Sequence, residues 1–179
     1  AALNDSNPYS WLFVKIGLST SLRHREILSA RFDGFDQGRR RLRVRVKGGR
    51  HREQPLSSVL TRILEREREM AEDSHGWIFP NPKSVSGHVE DMKTAFRRCV
   101  VRAGLNPKEV IPHTMRHTAI TNMATTGADI PTIQDFSGHL SLKMVMRYAH
   151  ARHQRVNQAV DEMERAKDKT RTYRSTKDA

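Results

Sequence analysis

The spacing of apolar residues predicts helices along most of the chain. Apolar positions recur every three or four residues, which would place them on one face of a helix. Asn7-Pro8 precedes the first such segment and Gly127 ends the fifth, as expected for residues that begin and stop helices. The predicted helices are residues 9–20, 22–31, 57–73, 85–105, 111–127, 130–136, 141–148 and 152–165.

The pattern changes to strict alternation between Arg41 and Lys47. Apolar and basic residues alternate there, which predicts a strand with one apolar and one basic face. Gly48-Gly49 supplies a turn, and residues 50–56 return as the partner strand. We therefore expect an α+β, mainly helical fold in which a small antiparallel sheet or hairpin packs on a helical bundle. Residues 1–165 would form this domain, and residues 166–179, which lack apolar periodicity, a flexible basic tail.

Composition narrows the class of partner. The chain has 32 Lys and Arg against 20 Asp and Glu, a net charge of +12, which favours a polyanion such as nucleic acid over a basic surface without such a partner. Its single cysteine, Cys99, excludes an intramolecular disulfide and fits a reducing, intracellular setting. No apolar run approaches the ~20 residues needed to cross a bilayer, so no membrane role is expected.

Two short segments carry candidate chemistry. His113 and Arg116 are three residues apart in the first turn after Pro112, where guanidinium and helix N-terminus could hold a phosphate together. His139 and Tyr148 lie in SGHLSLKMVMRYAH. A phenol, with a reference pKa of ~10, is a nucleophile only when its proton is removed and its anion stabilised. Taken alone, each segment is also typical of ordinary surface or core residues.

Together with two further segments, these motifs resemble the catalytic domain of the tyrosine recombinase (phage integrase) family. TSLRHREIL is similar to the family's first arginine motif, KGGRHREQPL to its hairpin lysine motif, HTMRHT to H-x-x-R-H-T, and GHLSLKMVMRYAH to its tyrosine motif. Ser21 stands where glycine is usual, and Met115 where leucine is frequent. The matching catalytic residues are Arg23, Lys47, His113, Arg116, His139 and Tyr148, with Glu26 in support.

The resemblance implies a site-specific recombinase or integrase that needs neither metal nor ATP nor a cofactor. Tyr148 would form a 3′-phosphotyrosyl bond, with His113 as candidate base and Lys47 as the acid for the leaving oxygen. Arg23, Arg116 and His139 would hold the phosphate oxygens. The basic face of the hairpin would contact the DNA backbone through Arg43, Arg45, Arg50 and Arg52.

The resemblance also implies partners. The substrate would be double-stranded DNA at attachment or recombination sites, in the cytoplasm on nucleoid or host-cell DNA, with a phage or mobile element as the expected source. Family members commonly use accessory DNA-bending proteins and a separate N-terminal DNA-binding domain, which we expect to be missing from this chain. An apolar stripe in the terminal helix would join subunits into a tetramer on DNA, through Val156, Ala159, Val160 and Met163.

Three other functions are consistent with parts of the sequence. A type IB topoisomerase would use similar chemistry on one strand. A helix-turn-helix DNA-binding module would explain the two short helices around Gly127 but neither Arg23 nor Lys47. A metal-dependent nuclease would need clustered carboxylates, whereas the acidic residues between 65 and 73 are interspersed with arginines and are typical of a solvated helix face.

Overall fold

The computed structural model describes residues 1–46, 48–71, 76–139, 141–148, 160–161 and 163–165. Lys47 lies outside the described residues, as do Val156 and Ala159 of the predicted apolar stripe. Val160 and Met163 are described and are about half exposed, at 45% and 51%. Residues 166–179, the predicted tail, also lie outside.

Seven α-helices and one three-stranded sheet make up the described part of the chain. The helices are α1 (Ser10–Ser19), α2 (His24–Leu28), α3 (Ser58–Met70), α4 (Lys93–Arg102), α5 (Pro112–Thr125), α6 (Ile130–Ser137) and α7 (Leu142–Met146). The strands are β1 (Phe35–Asp36), β2 (Arg41–Arg45) and β3 (His51–Pro55), paired antiparallel in the order β1-β2-β3. The expected α+β, mainly helical architecture with a small antiparallel sheet is therefore observed.

The alternation predicted for β2 is present. Leu42 and Val44 are buried, while Arg43 and Arg45 are exposed on the opposite face. In the antiparallel register, Val44 pairs with Arg52 and Leu42 with Gln54. Because paired residues share a face of the sheet, the side chain of Arg52 lies on the inward side, and Gln54 is fully buried. The expectation of one basic surface running from Arg43 to Arg52 is therefore wrong for Arg52.

One predicted helix begins later than expected, and one observed strand was not predicted. Residues 85–92 were expected to begin a long helix, but α4 starts only at Lys93, whose N–H donates to Asp91 Oδ1 at 2.6 Å. Before that point, Val89 N–H donates to the Phe79 carbonyl at 2.9 Å, so the backbone is engaged in a local pairing incompatible with a helix. Strand β1 has two residues, too few to show any periodicity.

Buried apolar residues form two clusters. The larger one unites α1, the sheet, α3 and α4, with Phe13 and Phe79 at 0% exposure. The smaller one lies between α5, α6 and α7 and consists of Ile120, Ala124, Ile133 and Val145, with Tyr148 packed against it. Helix α5 contributes to both clusters, because Met115 belongs to the larger one. No helix in the described ranges is long and apolar enough to cross a membrane.

We expect Gly34→Ala to destabilise the fold. A Cβ at Gly34 would lie 2.6 Å from the backbone carbonyl oxygen of Arg43 in β2, and a backbone atom in a sheet cannot move away cheaply. Overpacking of this kind costs about 1–3 kcal/mol. Gly38→Ala is the matched control. The atom nearest to its Cβ would be Asp36 Oδ1 at 3.7 Å, which is an ordinary van der Waals contact. Urea unfolding of both variants measures the difference; equal midpoints would contradict the expectation.

Candidate active site

Helix α5 carries the most buried charge of the site. Pro112 occupies its first turn, and His113, Arg116 and His117 follow at spacings of three and four, on one helix face. Arg116 is 2% exposed. Its Nη2 donates to the carbonyl of Ser137 at 2.8 Å and its Nη1 to the carbonyl of Ser21. Burial, together with Arg23 and Arg52 nearby, lowers the pKa of Arg116 to about 10.

Arg23 lies at the N-terminus of α2, where Glu26 holds it from both ends. Its backbone N–H donates to Glu26 Oε2 at 2.9 Å, and its Nη1 donates to Glu26 Oε1 at 2.9 Å. Glu26 is buried, while the Arg23 side chain is 49% exposed. Glu26 thus orients Arg23 and leaves part of its guanidinium open to an anion.

Arg52 enters the same site from β3. Its Nη2 donates to Ser21 Oγ at 2.9 Å and to Gln54 Oε1 at 2.6 Å. Ser21 Oγ also lies 2.8 Å from Gln54 Oε1 and bonds the carbonyl of Phe136. On the other side, Arg52 lies against Gly138, where a Cβ would overlap with Nη1. The serine at position 21 therefore links the β3 arginine to the end of α6.

His139 and Tyr148 complete the group. Gly138 ends α6 in the left-handed conformation, with φ +64, and turns the chain so that His139 follows it into the site. The His139 and Tyr148 rings are stacked, with centroids 6.2 Å apart and planes 16° apart. Tyr148 Oη lies 2.7 Å from His117 Nδ1. Burial raises the pKa of Tyr148, although Arg116 and Arg147 act in the opposite direction.

An open cavity of about 700 Å³ lies beside these residues, lined in part by Arg23, Arg50, Arg52 and His139 and also by Glu53 and Asp135. In the described part of the chain, the buried side-chain nitrogens or oxygens without a hydrogen-bond partner are Arg52 Nε and His139 Nδ1. The arginines of this lining and the unused imidazole and guanidinium nitrogens are suited to bind an anion. Within the described residues, no cluster of three or more His, Cys, Asp or Glu side chains could hold a metal ion.

The structure brings together most, but not all, of the residues singled out in the sequence. Arg23, Arg116, His139 and Tyr148 share one site, with Glu26 behind Arg23. His113 lies next to His117, with ring centroids 4.7 Å apart. Arg43 and Arg45 are exposed on the outer face of β2, and Arg50 lines the cavity.

Sequence reasoning missed His117 and placed Arg52 on the wrong face of the hairpin. His117 lies four residues after His113, so the helical period already indicated a shared face. Its contact with Tyr148 spans 31 positions and could not be read from local pattern. Arg52 was assigned to the outer face because alternation alone does not show which residue of β2 it opposes.

Comparison with known proteins shows which family the chain belongs to. The profile of the phage integrase family matches residues 2–155, more than half of the chain. The chain belongs to the phage integrase family.

Two curated members of the family are tyrosine recombinases named XerD. The protein of Brucella suis biovar 1 (strain 1330) is 30% identical over 151 residues, which cover 80% of this chain and 48% of the relative. That of Rhizobium meliloti (strain 1021) is 26% identical over 152 residues, covering 82% and 49%. The chain thus spans about half the length of the curated relatives it matches.

Solved structures of the family share the fold. The catalytic domain of bacteriophage HP1 integrase superimposes with a TM-score of 0.67 at 24% identity, over 89% of this chain and 85% of that domain. The XerH site-specific recombinase bound to a palindromic difH substrate gives a TM-score of 0.68 at 24% identity, over 86% of this chain and 45% of that one. The predicted tyrosine-recombinase catalytic-domain fold is therefore confirmed.

We expect the His139 imidazole to stay neutral at pH values at which an ordinary histidine is already protonated. Burial, and then Arg116, Arg23 and Arg52, lower its pKa to about 4 from 6.5. Because the folded-state pKa is below the unfolded one, the unfolded chain binds more protons between about pH 4 and pH 6.5. His139 therefore contributes stability that is present above pH 6.5 and is lost as the pH falls through this window.

An NMR titration of the imidazole resonances measures this shift directly. The His139→Gln variant identifies the resonance that belongs to His139. A titration midpoint of His139 at or above pH 6.5 would contradict its burial beside the three arginines.

Proposed function

We propose that this chain is the catalytic part of a site-specific DNA recombinase or integrase that cuts and rejoins strands through a 3′-phosphotyrosyl intermediate. The observation that carries the proposal is the position of the Tyr148 hydroxyl, 2.7 Å from an imidazole nitrogen in the cluster that contains Arg116 and His139. A phenol is activated by a neighbouring base and by groups that stabilise charge on the phosphate it attacks. Membership in the phage integrase family supports the same activity.

The reaction consists of two exchanges at phosphorus. In the first, Tyr148 Oη bonds to phosphorus, the bond from phosphorus to the 5′-oxygen breaks, and that oxygen leaves as a hydroxyl. In the second, a 5′-hydroxyl of another strand attacks the phosphotyrosine and releases the phenol. Each exchange replaces one phosphate ester by another, so the scheme requires no ATP and assigns no role to a metal or cofactor.

The arginines stabilise the negative charge of the transition state. Arg116 uses two of its five N–H groups on the Ser21 and Ser137 carbonyls, which leaves three for phosphate oxygens. Arg23 presents the exposed part of its guanidinium beside it. His139 donates from its imidazole N–H, and His113 is the candidate base that the family motif implies. Preorganised donors of this kind supply most of the catalysis in phosphoryl transfer.

DNA would lie across the basic face of the sheet. Arg43 and Arg45 are exposed there, and Arg50 lies at the cavity, so backbone phosphates could extend from the sheet to the reacting centre. Contacts of this kind do not read sequence and weaken as salt rises. Arg52, which faces inward, would reach only the phosphate in the cavity.

The remaining expectations concern the whole protein, of which residues 1–165 would be the catalytic domain. They are a tetramer on recombination or attachment sites joined through the terminal helix, accessory DNA-bending proteins, an origin in a phage or mobile element, and action on nucleoid or host-cell DNA. The exposed Val160 and Met163 are consistent with a terminal helix that docks on another subunit.

A DNA reader without catalytic activity would not need these groups. Burying Arg116 without a carboxylate partner among its hydrogen-bond acceptors costs free energy, which a helix-turn-helix module has no reason to spend. A type IB topoisomerase shares the cleavage chemistry, and it differs in relaxing one duplex instead of exchanging strands between two. Strand exchange between two labelled duplexes therefore separates the two enzymes.

We expect Tyr148→Phe to abolish covalent attachment to DNA. The full-length protein is incubated with nicked suicide duplexes drawn from the DNA that flanks its gene, then denatured and resolved by electrophoresis. Wild type should give a protein–DNA adduct that survives chelator, and Tyr148→Phe should give none while binding equally well. Tyr9→Phe is the control, because Tyr9 packs edge-on against Phe79 in the main core, 5.7 Å between centroids. DNA binding by folded wild type without any covalent adduct would favour the non-catalytic helix-turn-helix DNA-binding module.

We expect a sulfur substrate to rescue Lys47→Ala. General acids contribute about 10²–10⁴-fold, and a bridging 5′-sulfur leaves without needing a proton. Cleavage by Lys47→Ala should be slow on normal DNA and near the wild-type rate on the 5′-bridging phosphorothiolate. Arg116→Ala should remain slow on both substrates, because it acts on the non-bridging oxygens. No rescue of Lys47→Ala would remove this lysine from the acid role.

A further inference from the structure

The hydroxyl of Tyr148 is in direct contact with His117. Tyr148 Oη and His117 Nδ1 are 2.7 Å apart, a hydrogen bond of ordinary length, and it joins the second residue after α7 to the exposed face of α5. The ring centroids are 6.2 Å apart and the planes differ by 33°, so the contact is made edge to edge through the polar atoms. Such a contact is what proton transfer between the two groups requires.

The other groups around the phenol are less suited to take its proton. The His139 ring is nearly parallel to the phenol ring, with centroids 6.2 Å apart, and its buried Nδ1 forms no hydrogen bond to the hydroxyl. Arg116 stays protonated near neutral pH, because its pKa is lowered only to about 10. In the described part of the chain, the ring that His113 contacts is His117, which it meets edge-on at 88°.

A base in contact with the phenol is needed here. Burial raises the pKa of Tyr148, so the hydroxyl keeps its proton in the resting site. Burial, His117 and the nearby arginines lower the pKa of His113, so this second imidazole stays neutral. A neutral His113 allows His117 to become positive without a second full charge 4.7 Å away.

We propose that His117 is the catalytic base for Tyr148, and that His113 is a positioning residue that holds the His117 ring. As Tyr148 Oη bonds to phosphorus, its proton passes to His117 Nδ1, and the 5′-oxygen leaves with a proton from a separate acid. In the second exchange, the phenolate leaves phosphorus and takes the proton back from His117. The scheme requires His117 to carry its resting proton on Nε2, and it rests on the proposed cleavage reaction.

Single-turnover formation of the protein–DNA adduct by the full-length protein tests the assignment. We expect His117→Ala to slow adduct formation about 10²–10⁴-fold, as for loss of a general base, without weakening DNA binding. Added imidazole should restore part of the rate, because His117 is exposed and its removal opens a solvent-accessible space beside the phenol. More basic imidazoles should restore more. A merely structural role would give no such dependence.

Three further samples separate the inference from the proposed function. Thr121→Ala, at an exposed position one turn further along α5 and outside the HTMRHT motif, should cleave at the wild-type rate. The 5′-bridging phosphorothiolate should not rescue His117→Ala, because the defect lies on the attacking side. His113→Ala should cleave more slowly than wild type but faster than His117→Ala, and imidazole should not rescue it.

The possible failures are distinguishable. If wild type forms the adduct and His117→Ala forms it equally fast, or imidazole rescues His113→Ala instead, the assignment of the base is overturned while the recombinase chemistry stands. If folded, DNA-bound wild type forms no adduct, the proposed function itself is overturned, and the inference with it.

Discussion

The buried guanidinium of Arg116 connects the parts of this molecule that matter for chemistry. Its two hydrogen bonds reach the carbonyl that precedes α2 and the carbonyl that ends α6. A charge taken out of water is costly unless it is compensated, and two carbonyl dipoles compensate it only in part. The protein therefore maintains an excess of positive potential at one point of its interior. An anion bound there would relieve the cost.

The neighbouring residues extend this constraint. Arg23 is held by Glu26, and Arg52 by Ser21 and Gln54, so these two guanidinium groups lie close to that of Arg116. Burial, and then the positive charge of the neighbouring arginines, lowers the pKa of Arg116 and that of His139. The same arrangement leaves Arg52 Nε and His139 Nδ1 without protein partners in the described residues. These groups are positioned before any ligand arrives, which avoids the cost of reorganising them during the reaction.

Much of this could be predicted from the sequence, and the failures have physical causes. Periodicity predicted a helix at each of α1 to α7 and the β2–β3 hairpin. It did not show that residues 85–92 are engaged in local backbone pairing, since the helical pattern there competes with the hydrogen bond from Val89 N–H to the Phe79 carbonyl. The inward position of Arg52 depends on the register between β2 and β3, and the contact of His117 with Tyr148 on how α5 and α7 pack. Neither is encoded in local spacing. The roles of Lys47 and of the terminal helix remain predictions.

The two apolar clusters have a consequence for how this site can change. Tyr148 packs on the small cluster of Ile120, Ala124, Ile133 and Val145, apart from the core that contains Phe13 and Phe79. The nucleophile thus depends on only a few side chains that contribute little to the main core. Substitutions among those side chains would shift the phenol relative to the buried arginine without touching the packing around Phe13 and Phe79.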